Sequence, residues 1–495
     1  MPLAADYFAV YADEMNQLKQ ALGLPSAIAI VMGSMIGSGI FIVPADIARG
    51  VNSPALFIAA WLVTGFMTVV GALSYGELAA MMPKAGGQYV FLRESLGSIW
   101  GFLYGWTLFL VIQTGTIAAV AVAFSKFLGV WFSSVSPQNW FFHLGRAGIM
   151  DVGLNTQNAV AIAVIVLLTF VNILGVKSGA LVQNIFTSVK TLALMGLILI
   201  GLSIGANTAA VHLNFGDFWR NSGLSDLHAV QIGVGGPFEM VGLFTILAVV
   251  QVGSLFSADA WNNVTFTAAE VKNPQRNLPL ALALGTGGVI LIYILANFAY
   301  LTALPLNVIQ TVPEDRVGTA LLEQVFNGSG AKWMALAIMI STFGCVNGMI
   351  LAGSRVYYAM SEDGLFFKSV GKIHPKYNTP VTSLLFQGVW ASLLCLSGTY
   401  GQLLDYIIFA VLLFYVLTMI GLFVLRRKWP DVERPYRALG YPILPAIYIL
   451  MAVFIDFVLL KYKPQYTWPG LMIVCAGVPV YFFWAKKNIQ TANRS

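Results

Sequence analysis

Two stretches of the chain put glycine and small polar residues inside otherwise apolar runs. The first is Gly33-Ser34-Met35-Ile36-Gly37-Ser38-Gly39. The second is Ser254-Leu255-Phe256-Ser257-Ala258-Asp259-Ala260-Trp261-Asn262-Asn263. A helix broken at such a place frees N–H groups where its second half starts and carbonyls where its first half ends. The freed N–H end carries the positive dipole and suits a carboxylate. The freed carbonyls suit an ammonium. Two ionisable residues lie in similar settings, Lys190 within Thr187-Ser188-Val189-Lys190-Thr191, and Asp259. A charge inside an apolar segment is costly and marks a functional position by default. Milder readings stand beside these. Lys190 is close enough to one end of its segment to snorkel, and Asp259 suits a cap on the half-helix that begins there. Glu77 fits either an inner-gate ion pair or an interfacial glutamate, and Gln113 is a weaker candidate for a pocket wall.

Other chemistries lack their residues. The four histidines are scattered, and there is no HExxH, Walker-type or GxGxxG pattern. Cys345, Cys395 and Cys475 form neither a disulfide framework nor a metal motif. No metal and no cofactor are expected.

The elements that must hold these residues are membrane helices. The 495 residues are 58% hydrophobic and 10% charged, with a mean hydropathy of +0.78. A water-soluble chain of this size carries far more charge. Apolar segments recur over 24–50, 54–82, 97–131, 156–175, 183–206, 241–269, 278–304, 330–360, 380–398, 403–426, 441–461 and 468–486. Each is near or above the roughly 20 residues a spanning helix needs. Helices are the reading for such segments, because lipid offers the backbone no hydrogen-bond partner. With the N-terminus inside, 18 of the 27 Lys and Arg fall in inner loops, 7 in outer loops and 2 within spans. The excess places both termini in the cytoplasm. Met1–Gln20 lacks the pattern of a signal peptide and reads as a short amphipathic segment on the cytoplasmic surface. The outer loops 132–155 and 207–240 are placed to cap the outer mouth.

The two interrupted spans are the first and the sixth, five helices apart. That is the spacing of two five-helix inverted repeats with a site between them. Close helix packing is the alternative use of such small residues. The expected fold is therefore an all-α integral membrane bundle of about twelve helices, with helices 1 and 6 broken. Its expected parts are a cytoplasmic segment 1–21, a first repeat 22–206, a second repeat 241–426, two further helices within 441–486, and a cytoplasmic tail 487–495.

At these residues the chain also resembles a known family. Gly37-Ser38-Gly39-Ile40-Phe41 with Pro44 is similar to the first-helix signature of the amino acid–polyamine–organocation superfamily. Phe256-Ser257-Ala258-Asp259-Ala260-Trp261-Asn262, then Glu270-Val271-Lys272-Asn273-Pro274 and Arg276-Asn277-Leu278-Pro279, look like its L-amino acid transporter branch. Ser341-Thr342-Phe343-Gly344, Asn347-Gly348, Arg355, Tyr358-Ala359-Met360 and Asp363-Gly364 are similar to that branch's eighth helix. Arg434-Pro435-Tyr436-Arg437 and Gly440-Tyr441-Pro442 match its loop before helix eleven. The likeness runs in order along nearly the whole chain.

The resemblance implies an amino acid permease. A zwitterionic ligand must have both charges matched in a dry cavity. Its carboxylate would sit on Gly37, Ser38 and Gly39, and its ammonium on the carbonyl end at Ser34, Met35 and Ile36. Phe256, Ser257, Asp259, Ala260 and Asn262 would serve from the sixth helix, with Phe256 as an aromatic gate. In relatives a lysine at the place of Lys190 resembles a built-in cation standing for sodium between helices 1, 5 and 8. Ser341 and Thr342 would supply hydroxyls there. A lysine that exchanges its proton would give proton symport; one that stays charged leaves exchange or facilitated diffusion. Many relatives have glycine where this chain has Ala260. Alanine tolerates fewer backbone conformations and narrows the pocket, which argues for a small substrate.

The reading is thus a secondary transporter of small neutral L-amino acids in the plasma (inner) membrane. It would work by sodium-independent alternating access, as an exchanger or a proton-coupled carrier. The rivals are a polyamine or organic cation carrier of the same fold, which a pocket rich in acids would support and for which only Asp259 is available, and a transport-dead amino acid sensor. An enzyme would need a cluster of catalytic groups that the spans lack. Expected partners are the small-molecule substrate and the bilayer, not nucleic acid. A partner subunit is left open, since some relatives pair with a single-span glycoprotein.

Overall fold

The computed structural model describes residues 18–147, 150–219, 242–326, 328–396 and 400–492. The segment expected over Met1–Gln20 lies outside these except for 18–20, as does most of the second outer loop. Among the described residues nine helices are long and apolar enough to cross a membrane, and the bent pair Leu24–Met35 and Gly39–Val51 makes a tenth. The shorter apolar helices Leu243–Ser257 and Val381–Leu394 stand in the sixth and ninth places, which completes the twelve.

In chain order the first span is α1 (Leu24–Met35) and α2 (Gly39–Val51). Then come α3 (Pro54–Met81), a short α4 (Gln88–Leu96), and a third span made of α5 (Ser98–Thr107), a π-helical turn at Leu108–Ile112, and α6 (Gln113–Leu128). The fourth and fifth spans are α7 (Thr156–Ile173) and α8 (Val176–Leu202), followed by a short α9 (Thr208–Phe215). The sixth is α10 (Leu243–Ser257) and α11 (Asn263–Phe266). After α12 (Pro274–Ala303), the short helices α13 (Leu306–Thr311) and α14 (Val317–Phe326) lead to α15 (Gly330–Glu362). The last four spans are α16 (Val381–Leu394), α17 (Tyr400–Lys428), α18 (Ile443–Tyr462) and α19 (Pro464–Ala492).

The first outer loop forms an antiparallel hairpin, β1 (Trp140–Ala147) and β2 (Met150–Asn155), with His143 opposite Gly153. It lies beside the end of α16, where the Gly153 N–H donates to the Leu396 carbonyl at 3.2 Å.

Helix α8 shows how the sequence makes a membrane bundle. Leu181, Ile185, Leu192 and Leu199 are exposed, while Gln183, Thr187 and Lys190 are buried. The apolar stripe faces lipid and the polar stripe faces the other helices, the reverse of a soluble helix. Helix α8 also begins earlier than the hydropathy run suggests, at Val176 rather than near 183. The polar first turn Lys177-Ser178 hides that start from a hydropathy reading. Lys190 is therefore 14 residues into a 27-residue helix, too deep to snorkel. Around it, α1 packs on α8, α12 and α15, and α2 packs on α10.

Candidate functional site

The first break has a simple local cause. Ile36 leaves the helix (φ −74°, ψ 91°) and α2 restarts at Gly39, with a 41° bend between the halves. Two glycines let neighbours approach. A Cβ on Gly33 would lie 1.8 Å from Gln183 Nε2, and one on Gly39 would lie 2.2 Å from Ser257 Oγ. The second break runs from Ala258 to Asn262, with Ala260 in the left-handed region at φ +64°. Glycine adopts that conformation freely and alanine does so at a cost of roughly 1–2 kcal/mol. The position singled out in the sequence for carrying alanine is thus the one where glycine would fit the backbone best.

The two breaks face each other and are joined by one side chain. The Tyr293 hydroxyl on α12 lies 3.0 Å from the Met35 carbonyl and 3.0 Å from the Ser257 carbonyl. Its proton is thereby shared between the ends of α1 and α10. Tyr300, about two turns further along the same face, donates to the Ile40 carbonyl at 3.2 Å.

The other freed carbonyls of α1 are also engaged. Lys190 Nζ donates to Gly33 at 2.5 Å and Ile36 at 2.7 Å, and reaches the Ser341 carbonyl at 3.3 Å. The Ser341 hydroxyl does not accept from the lysine. It donates to the Ile36 and Gly37 carbonyls at 3.0 and 3.2 Å. The Thr342 hydroxyl turns back on its own helix, to the Ile338 and Met339 carbonyls, the local bond open to a threonine within a helix. Cys345 Sγ donates to the Ser34 carbonyl at 3.0 Å. The carbonyls of Ser34, Met35 and Ile36 each accept a protein donor, so a ligand ammonium must share or displace one.

Asp259 is not a helix cap. Helix α11 starts four residues later, at Asn263, with Asn262 before it. The Asp259 carboxylate instead accepts from the Tyr415 hydroxyl on α17 at 2.6 Å. Asn262 Nδ2 donates to Gln88 Oε1 at 2.9 Å, and Gln88 Nε2 donates to Thr418 at 3.1 Å. Asp259, Tyr415, Asn262 and Gln88 border a cavity that runs from the Asp259–Ala260 turn past Tyr104, Gln113 and Asn263. The π-helical turn of the third span forms part of its wall, and such turns frequently occur at functional sites. Residues 34–39 do not border this cavity, and Phe256 is buried one residue before α10 ends.

Clamps close both ends of the break. On the near face, where α1 begins, Arg355 holds Glu270 through two 3.0 Å bonds, both side chains fully buried. The Glu270 carbonyl accepts the Ala21 and Leu22 N–H groups at 2.9 Å each, and Lys272 N–H donates to Leu22 at 2.8 Å. Glu77 takes two bonds from Arg426 at 2.9 and 2.7 Å and one from the Ala438 N–H. Burial holds the nearby Lys84 ammonium below the usual lysine range, with Arg93 adding to the effect. On the far face, Arg49 pairs with Asp315 at 2.7 Å, and Gln310 donates to the Ala48 carbonyl at 3.0 Å. Among the described residues no group of three His, Cys, Asp or Glu could hold a metal ion.

Sequence reasoning did not single out Tyr293, Tyr415 or Cys345. A tyrosine or cysteine within an apolar span carries no spacing signal of its own. Only the positions of the breaks, once known, draw attention to what touches them.

A bundle whose first and sixth spans break opposite each other, with a positive helix end and carbonyl ends at the break, has the architecture of a solute carrier. The chain belongs to the amino acid permease family, whose profile matches residues 22–482. It is 32% identical over 477 residues to the human "Large neutral amino acids transporter small subunit 2", covering 95% of this chain and 82% of that protein. It is 29% identical over 480 residues to the "Serine/threonine exchanger SteT" of Bacillus subtilis, covering 96% and 99%. It is 28% identical over 483 residues to the human "b(0,+)-type amino acid transporter 1", covering 95% and 91%. The family and these relatives are transporters, and the protein is an integral membrane transporter of amino acids.

Proposed function

We propose that the protein carries small neutral L-amino acids by sodium-independent alternating access, as an exchanger or with a proton. The observation that carries this reading is Lys190. Its ammonium holds the Gly33 and Ile36 carbonyls at the end of α1 and the Ser341 carbonyl of α15, the electrostatic work a bound monovalent cation would do. The ligand carboxylate is assigned to the α2 N-terminus at Gly37, Ser38 and Gly39, where a helix end offers N–H groups and positive potential. The ammonium is assigned to the Ser34–Ile36 and Phe256–Ser257 carbonyl ends, with Phe256 as the gate. Ala260, which adds a methyl to the cavity wall, supports a small side chain, and the serine/threonine exchanger among the relatives agrees with it. Two repeats, 22–206 and 241–426, would rock about this site, opening the Arg49–Asp315 clamp on one side and the Glu270–Arg355 clamp on the other. The arginine and lysine distribution supports cytoplasmic termini in a plasma membrane. One relative is named as a small subunit, and a partner chain here is compatible with the site.

A second reading has one observation in its favour. Asp259 presents a carboxylate to the cavity, which suits a cationic side chain. Purified protein in proteoliposomes tests both. Labelled amino acids are counted with an unlabelled panel inside, in sodium and then in choline. Exchange of alanine, serine or threonine unchanged by choline is expected. Sodium-driven accumulation, or uptake of cationic amino acids alone, would sink the first reading.

A further inference from the structure

The cavity beyond Ala260 holds polar groups without partners. Asn263 Nδ2 is buried and hydrogen-bonds to nothing among the described residues; the buried Tyr104 hydroxyl has Asn262 beside its oxygen, and its proton meets no acceptor among the described residues. Both side chains are almost wholly inaccessible, at 1% and 2% exposure, and both border the cavity. A buried donor left without a partner is destabilising, and native structures retain such groups where a ligand or water completes them. The same cavity is bordered by an acceptor, the Asp259 carboxylate, one oxygen of which already takes the Tyr415 proton.

We propose that Asn263 and Tyr104, together with Asp259, form a subsite that selects amino acids bearing a side-chain hydroxyl. The inference rests on the reading of the two breaks as the amino acid site. A ligand held at Ser257 and Gly39 directs its side chain past Ala260, since that turn follows Ser257 directly and opens the cavity. A hydroxyl has one proton to donate and two lone pairs to accept. It gives its proton to Asp259 and accepts from Asn263 Nδ2 and the Tyr104 hydroxyl, so all three wall groups are satisfied at once. A methyl in the same place satisfies none. A pocket built this way rejects the isostere lacking the hydroxyl far more strongly than an apolar pocket rejects an added one.

Threonine and valine have nearly the same shape and isolate the effect. In the proteoliposome assay each competes for uptake of labelled threonine by the full-length wild type. Threonine should compete at least about tenfold better than valine. Asn263→Leu and Tyr104→Phe should each bring the ratio towards one while valine remains bound. Threonine should also raise the thermal midpoint of wild type in lipid nanodiscs more than valine does, a readout independent of turnover. A wild-type ratio near one overturns the proposal whatever the variants do. So does stronger competition by lysine than by threonine, which would mean that Asp259 selects charge. Absence of uptake and of thermal shift with every amino acid tried would overturn the transport reading itself, a result distinct from equal binding of threonine and valine.

Discussion

Replacing Gly39 by alanine tests whether the two breaks must touch. The new Cβ would lie 2.2 Å from Ser257 Oγ, 2.7 Å from Ser257 Cβ and 3.0 Å from Ser257 Cα. The hydroxyl can rotate away, but the Cβ and Cα cannot. Carbon atoms rest at about 3.5–4.0 Å, so α2 and α10 must separate by roughly 1 Å. Overpacking of this kind costs about 1–3 kcal/mol, and the same separation pulls the Met35 and Ser257 carbonyls away from Tyr293. If the closed arrangement lies on the transport cycle, the rate should fall about 5- to 150-fold. Gly39→Val, with two more methyls, should abolish transport while the protein still expresses. Gly37→Ala is the control, because its Cβ would meet only Cys345 Sγ, at 3.4 Å. Both alanine variants keep every backbone N–H, so a difference between them reports packing rather than lost hydrogen bonds. The assay is the initial rate of counterflow in proteoliposomes, normalised to monodisperse protein. Wild-type rates in Gly39→Ala would refute the packing argument, and full activity in Gly39→Val would refute placement of the carboxylate at this break.

Lys190→Ala should lose most transport, since three carbonyls lose a charged donor; normal uptake by this variant would remove Lys190 from the mechanism. Ala260→Gly should raise the thermal midpoint, because it relieves a left-handed alanine worth about 1 kcal/mol. The same change should admit larger side chains, so leucine should compete better than in wild type; a lower midpoint would contradict the strain. Arg355→Ala should cost about 3–5 kcal/mol by leaving Glu270 buried and unpaired. The Glu270→Gln, Arg355→Met pair should recover much of that loss in a thermal unfolding series, and a double variant no better than the single would argue against a charge penalty.

Much of the architecture was legible because lipid imposes so few solutions. The twelve apolar runs had to be helices, and glycine and serine in the first and sixth could be read as breaks at Ile36–Ser38 and Ala258–Asn262. Ala260 was legible as an anomaly only through the family resemblance, which has glycine there, and its positive φ supplies the physical reason. The start of α8 was not, since Lys177 and Ser178 lower hydropathy without ending a helix, and this error made Lys190 look superficial. Asp259 was misread as a cap because the length of an unwound segment leaves no mark in composition. The roles of Ser341 and Thr342 were separable only in three dimensions. Adjacent residues on a helix point about 100° apart, and one reaches α1 while the other folds onto its own turn. Tyr293 and the β1–β2 hairpin depend on contacts between segments far apart in sequence, or on a loop too short to declare a period.

The long-range polar pairs also set an order on biogenesis. Glu77 is fully buried in the finished protein, yet its partner Arg426 lies 349 residues further along. At about 5–20 residues per second, a ribosome needs about 17–70 s to bridge that distance. Lys190 finds Gly33 and Ile36 already made but must wait 151 residues for Ser341, about 8–30 s. During those intervals the early spans carry groups that lipid will not accept alone. The nascent first half must therefore linger in a hydrated setting, at the membrane surface or within the insertion machinery, until its later partners emerge. A chain stalled between spans five and eight would present an unfinished polar seam, which a quality-control protease could recognise.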